Sequence, residues 1–390
     1  MRRSRLFLVI AAACLLAGAV LAVASFSRDS RAPGAPGPSR VLYLSPQGRD
    51  SGRCTSAAPC RTLDFAYRTA PGGSTVLMRS GLYPGQWVGG EGPDRRAGLV
   101  TFRPAQGATV NVGGTLNLFD SHVELRALHV QDVTVGNFDQ TEGRPNPTDI
   151  RLIGLHGRNF QIDSATHVTV KGGSWGPASA CGGSYGGSNN SIRDITGVVP
   201  SDVLIEGVTI HDVQSYDLQE CHIEGLAIFA GRHVVVRGSR FYGNSIYDVF
   251  VQANSGPVSG LLFERDWMAM PVGVDGRENG TVIGFSDISK DVTLRDNRFN
   301  YIVSLDDDGV NPTFSNFVLS GNVGVLPYAG CSLRGLVWRH NLWRNGACSA
   351  SDVSMRERRL PYVDGANDGS LDYRVTRAAP VGWRRWAARH

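Results

Sequence analysis

Asp202-Val203-Leu204-Ile205-Glu206-Gly207-Val208-Thr209-Ile210 (DVLIEGVTI) is followed 31 residues later by His233-Val234-Val235-Val236-Arg237-Gly238-Ser239-Arg240-Phe241 (HVVVRGSRF). Each unit has an apolar residue, a second one two positions on, a Gly at plus four and a further apolar residue at plus seven. Alternation with period two is the mark of a strand with one face buried, and a Gly interrupting it marks a bend. The paired apolar positions occur nine times, often with Gly or Asp at plus four and usually with an apolar residue at plus seven, starting at Val123, Ile150, Val168, Val203, Val234, Leu261, Val292, Phe317 and Leu336. The starts lie 18 to 35 residues apart. Constant strands with loops of varying length are what the coils of a solenoid show, and no unit can bury its apolar face unless its neighbours stack on it. Period two excludes helical repeats.

Within this frame further strands are expected at Gly225 to Ala230, Tyr247 to Gln252, Val282 to Phe285 and Ile302 to Leu305, giving three strands per coil. Laying Ile223 over Ile246 sets Leu226 on Val249 and Ile228 on Val251, as in two adjacent strands of a parallel sheet. Five residues after the last three full starts stand Asn297, Asn322 and Asn341, which predicts a hydrogen-bonded ladder of side chains down the stack. Upstream, Val41 to Leu44 alternates as a strand, Thr62 is placed to cap a helix over Leu63 to Thr69, and Ser74 to Arg79 reads as a second strand.

The stretch from Tyr43 to Tyr83, YLSPQGRDSGRCTSAAPCRTLDFAYRTAPGGSTVLMRSGLY, resembles the opening segment of secreted right-handed parallel β-helix proteins of the pectate-lyase-like superfamily. In that family the segment forms the N-terminal cap and first coil. SLDYRVTRAAPVGW, residues 370–383, is similar to a final coil. The resemblance extends over most of residues 41–383 and implies an all-β, right-handed parallel β-helix with a short N-terminal capping helix. It implies less about activity, because this fold carries many functions.

Composition agrees with a long, turn-rich solenoid: 390 residues with 48 Gly, 42% hydrophobic and 19% charged. The formal charge of +4 is spread along the chain, so neither nucleic acid nor an anionic membrane surface is indicated as a partner. Arg2, Arg3 and Arg5 followed by the apolar run Leu6 to Ala24 read as an export signal ending at Ala22-Val23-Ala24, residues 1–24, with an uncleaved membrane anchor as the competing reading. Residues 25–40 are a Pro/Gly-rich linker, 41–383 the β-helix and 384–390 a basic tail. A secreted monomer is expected. Setting Cys14 aside as part of the signal, six of seven cysteines remain, an even number suited to an oxidising compartment. Proximity suggests Cys54 with Cys60 and Cys331 with Cys348, and elimination leaves Cys181 with Cys221.

Candidate chemistry gathers at Glu220, His222, Glu224 and Asp248. Two carboxyls near an imidazole can work as acid and base once their environments separate their proton affinities. Alternation turns Asp248, Phe250 and Gln252 outward, with Asp248 beside small Gly225 and Ala227, while His222 and Glu224 face inward or lie at the strand mouth. His222-Ile223-Glu224-Gly225 resembles a His-x-acid-Gly element of secreted β-helix proteins. The hydrolase and lyase motifs of the superfamily are otherwise missing: Asp306-Asp307 stands without a Gly-His-Gly or Arg-Ile-Lys companion. Lys171 and Lys290 are the only lysines. A Gly-rich insertion at Ser174 to Asn190 brings Trp175 and Tyr185 as aromatic sugar contacts, although Trp175 also occupies a plus-seven core position; Phe250 and Gln252 complete the substrate set. Asp306, Asp307 and Asp308, with Asp287, offer oxygen ligands for calcium. Together these residues predict a polysaccharide-binding protein that cleaves its ligand, with Glu224 and Asp248 as a hydrolytic pair or His222 as the base of an elimination. A non-catalytic cell-wall carbohydrate-binding protein is the alternative.

Overall fold

A computed structural model describes residues 40–355, apart from 90–97, 137–144, 180–189, 215–223, 270–279, 308, 310–311, 329 and 345. The nine start residues form one column. Val123 pairs with Ile150, Ile150 with Val168, Val168 with Val203 and Val203 with Val234. Beyond Leu261 the column continues through Val292, Phe317 and Leu336, always parallel. The chain is a right-handed parallel β-helix.

Its strands fall on three faces. The first carries the start residues, in strands such as Ser201–Glu206, Gly231–Arg237 and Lys290–Arg295. The second carries Thr209–His211, Arg240–Tyr242, Trp267–Met268 and Arg298–Phe299. The third runs through Asn159–Asp163, Asn190–Arg193, Leu226–Ile228, Tyr247–Gln252, Thr281–Ser286 and Val303–Ser304. Leu226 pairs with Val249 and Ile228 with Val251, as alternation predicts. Inward side chains of all three faces fill the interior, with Phe285 edge-on to both Phe263 and Phe317. Each such burial contributes about 1.5–3 kcal/mol.

The bends follow from backbone chirality. All nine plus-four residues have positive φ, from Ala127 at 51° to Gly172 and Gly207 at 62° and Gly321 at 65°. The residues immediately before the starts do as well: His122, Asp149, His167, Asp202, His233, Gly260, Asp291, Asn316 and Gly335. Gly meets this conformation without penalty, and Asn, Asp and His tolerate it better than most side chains.

Beneath the plus-four bend lies the expected ladder, longer than the sequence suggested. Oδ1 of Asn297, Asn322 and Asn341 accepts the backbone N–H of Asp266, Asn297 and Asn322 at 2.9, 3.0 and 3.0 Å. Asp266 extends it by accepting the Ser239 N–H at 2.8 Å, and Asp352 ends it by accepting that of Asn341 at 2.9 Å.

The helix Leu63–Thr69 forms as expected, with Thr62 accepting the Phe65 N–H at 3.2 Å. Cys54–Cys60 and Cys331–Cys348 are disulfides. Residues 1–39, Cys181, Cys221 and residues 370–383 lie outside the described residues. No described helix is long and apolar enough to cross a membrane.

Candidate functional site

The third face carries the candidate site. Its outward column at the centre of the strands is Gln161, Ser191, Ala227, Phe250, Gly284 and Ser304, paired strand to strand. Phe250 and Gln252 are half-buried and face outward as predicted. Gln252 Nε2 donates to Ser286 Oγ at 3.1 Å, and Asn254 Nδ2 donates to Gln252 Oε1 at 3.2 Å.

Tyr247 joins them unexpectedly. Period two assigns it to the core side with Val249, yet its ring lies 4.8 Å from that of Phe250. Gly284 explains the departure: a Cβ there would stand 2.6 Å from Tyr247 Cε1, so the missing side chain leaves the ring its place. The Tyr247 hydroxyl donates to Asp307 Oδ2 at 2.6 Å. An aromatic pair bordered by an acid and two amides thus sits at one position of a rigid sheet.

Two strands away, Arg193 is held in a fork. Its Nε donates to Asp163 Oδ1 at 2.6 Å and its Nη2 to Asp163 Oδ2 at 3.1 Å and Gln161 Oε1 at 3.3 Å. Burial raises the Asp163 carboxyl, and the guanidinium offsets part of that rise. The side chain of Arg193 keeps 24% exposure, a cation aimed by a buried partner. Neither residue was singled out from sequence, since an Asp and an Arg 30 positions apart carry no local signal.

Asp248 corrects the sequence reading. It lies off the core side, but its exposure is 0%: Asn244, in the preceding bend, donates Nδ2 to its Oδ1 at 2.7 Å. The room expected beside Gly225 is filled by that amide, 2.8 Å from where a Gly225 Cβ would be. Its Oδ2 is buried without a hydrogen-bond partner of good geometry. Burial pushes the carboxyl well up, against the weaker downward pull of Asn244 and the Ala269 backbone.

Glu224 is 2% exposed, and burial raises its carboxyl to about 7. The strand register sets Gly225, not Glu224, opposite Asp248, because Leu226 pairs with Val249. Glu224 precedes the strand Leu226–Ile228, and the two carboxyls are one residue out of step. Glu220, His222 and Tyr185 lie outside the described residues.

Trp175 is a second correction. At 0% exposure, edge-on to Phe160 at 5.0 Å, it is a core residue and cannot stack on a sugar. Its plus-seven position wins over its place at the start of the Gly-rich insertion. Lys171 is committed to Glu206 at 2.7 Å. Among the described residues no three His, Cys, Asp or Glu side chains gather to hold a metal ion. Asp307 is bonded to Tyr247, Asp287 turns a left-handed bend at φ 59°, and Asp308 lies outside the described residues. Asp306 is half-buried and Asp307 exposed.

No protein-family model matches the chain. It is 30% identical over 171 residues to the uncharacterized protein YwoF of Bacillus subtilis (strain 168), a match over 40% of this chain and 33% of that protein. The chain thus spans about a third of the curated relative it matches. Among solved structures it is similar to pectate lyase Pel9A, at 13% identity and TM-score 0.43, covering 89% of this chain and 91% of that one. A rhamnogalacturonan lyase is similar at 13% identity and TM-score 0.39, covering 78% and 74%. The A-module of the Azotobacter vinelandii mannuronan C-5 epimerase AlgE4 is similar at 12% identity and TM-score 0.36, covering 73% and 85%.

Proposed function

We propose that the chain is an exported β-helix protein that binds a polysaccharide on its third face, with Tyr247 and Phe250 as the sugar platform. The observation that carries this reading is the half-open aromatic pair fixed by Asp307 and bordered by Gln252. Aromatic rings suit the CH face of a sugar, and the amides and carboxylate suit its rim of hydroxyls. Strands stacked about 4.8 Å apart make such a platform rigid.

Cleavage rests on Glu224, whose raised proton affinity suits a general acid at neutral pH. The burial of Asp248 under Asn244 supports the second reading, binding without cleavage, because it covers one of the two carboxyls that hydrolysis would use.

The test is incubation of the purified chain with a panel of neutral and acidic polysaccharides, with and without calcium, following binding, reducing ends and unsaturated uronates. Binding of at least one glycan should weaken roughly tenfold or more in Phe250→Ala, the loss of about 1.4 kcal/mol or more. If products form, Glu224→Gln should abolish them and leave binding within a few-fold. Binding that is indifferent to both Phe250→Ala and Tyr247→Ala sinks the reading.

A further inference from the structure

Upstream of Thr209–His211, the outward side of the second face is formed by Asn111, His129, His156 and Ser174, each in register with the next, and Ser174 is in register with Thr209. This column is unused by the function proposed above. His129 and His156 are both exposed, and their imidazole rings stack with centroids 5.4 Å apart and planes 24° from parallel. They stand 27 positions apart in the chain, so only the stacking of coils brings them together.

Their surroundings set them apart from the other histidines. His122 lies 3.2 Å from Asp149, His167 and His233 lie 3.7 and 3.4 Å from Asp202, and His211 lies 2.8 Å from Asp212. Among the described residues no carboxylate pairs with His129 or His156, and each has the other ring as its neighbour. Side by side, two imidazoles gain nothing from each other as cations. As neutral rings they offer two nitrogen lone pairs in neighbouring positions, and neutral imidazole is the commonest metal ligand among side chains.

Ser174 adds a second feature of a ligand. Its Oγ lies 2.8 Å from His156 Nδ1. In the tautomer whose Nδ1–H donates to that hydroxyl, Nε2 of His156 keeps its lone pair for an outside ion, as in metal sites where the far nitrogen of a ligating histidine is held by a hydrogen-bond acceptor. Two nitrogens bound to one ion at about 2.0–2.1 Å come within about 3–4 Å of each other. Both side chains are exposed, and turning them about χ1 and χ2 closes the 5.4 Å separation of the rings to that span without disturbing the core.

We propose that His129 and His156 bind one divalent ion of a late first-row transition metal, copper, nickel or zinc, through one nitrogen each. Imidazole nitrogens select such ions over calcium and magnesium, which take oxygen ligands. No third His, Cys, Asp or Glu joins the pair among the described residues, so the remaining coordination positions are open to water or to a ligand from solution. Copper should bind most tightly of the three, following the general order for nitrogen sites. The pair stands on a different face from the sugar platform, so either reading can fail without the other.

Calorimetric titration of the full chain, without a purification tag, with copper(II), nickel(II) and zinc(II) chlorides tests it. The variants are His129→Gln, His156→Gln, the two combined, and His122→Gln as a control. One equivalent of saturable copper binding should be present in the wild type and in His122→Gln, be weakened at least tenfold in either single variant of the pair, and be missing from the double variant. Sites elsewhere in the chain remain in every variant and cancel in the comparison. Ser174→Ala should weaken the same step a few-fold while leaving both rings in place. Saturating metal should raise the unfolding temperature of the wild type more than that of the double variant, whereas their metal-free melts should coincide, because both side chains are exposed. Titrations of the wild type and the folded double variant that coincide for all three ions overturn the proposal, as does a loss in His122→Gln as large as that in His129→Gln.

Discussion

Glu224 shows what burial does to one carboxyl. Its proton affinity is raised from the ordinary value of 4.5 to about 7, because desolvation disfavours the charged form. A raised group stabilises the fold fully below its unfolded value and loses that contribution as pH rises through the folded value. The unfolding temperature should therefore fall between about pH 4.5 and pH 7, with Glu224 accounting for roughly 3 kcal/mol of the change. Thermal melts of wild type and Glu224→Gln across that window check this, and the drop should be visibly smaller in the variant. The sequence already placed Glu224 at the inward side or the strand mouth. It misplaced Asp248 because alternation reports the side of a sheet and not what covers it; the cover is Asn244, supplied by a bend. Tyr247 was hidden for the opposite reason, since a Gly on the neighbouring strand let its ring leave the side that alternation assigns.

At the scale of elements, the strands were legible and half of the bends were not. Apolar residues two apart, with Gly or Asp at plus four in six units, located all nine stacked units. The left-handed residue before each start was present in the same phrases, as the His of HVVVRGSRF and the Asp of DVLIEGVTI, but it reads as one more strand position until φ is known. The ladder was visible as Asn297, Asn322 and Asn341, and its continuation through Asp266 was not, because an acid is not expected inside a core. In each Asn, Nδ2 donates to a backbone carbonyl of the preceding coil: Phe263 at 2.9 Å, Leu294 at 2.8 Å and Leu319 at 2.9 Å. Asp266 has an oxygen where those have an amide, and that Oδ2 is buried without a partner. Supplying the donor in Asp266→Asn should stabilise the chain by about 1–3 kcal/mol at pH 7 and remove stability lost as pH rises above the ordinary carboxylate range. Asn322→Ala should cost about 2–5 kcal/mol, because it strands the Asn297 N–H and the Leu294 carbonyl. Denaturant midpoints of the two variants, moving in opposite directions, are the measurement.

For the whole molecule, a solenoid couples each coil mainly to its two neighbours, so side chains that meet come mostly from the same or adjacent coils. The third face presents the aromatic pair and the fixed Arg193, and the second face presents the imidazole pair of His129 and His156. Fold and core were open to sequence reading because they repeat. The site was open only in part, because its geometry depends on which side chains from different coils meet, and one coil carries no local trace of another. Amide hydrogen exchange of the chain, alone and saturated with a glycan from the binding panel, tests the account most directly. Protection confined to the strands Leu226–Ile228, Tyr247–Gln252 and Thr281–Ser286 and their flanks is the predicted result. Protection that leaves these strands unchanged and appears on the first face instead would contradict it.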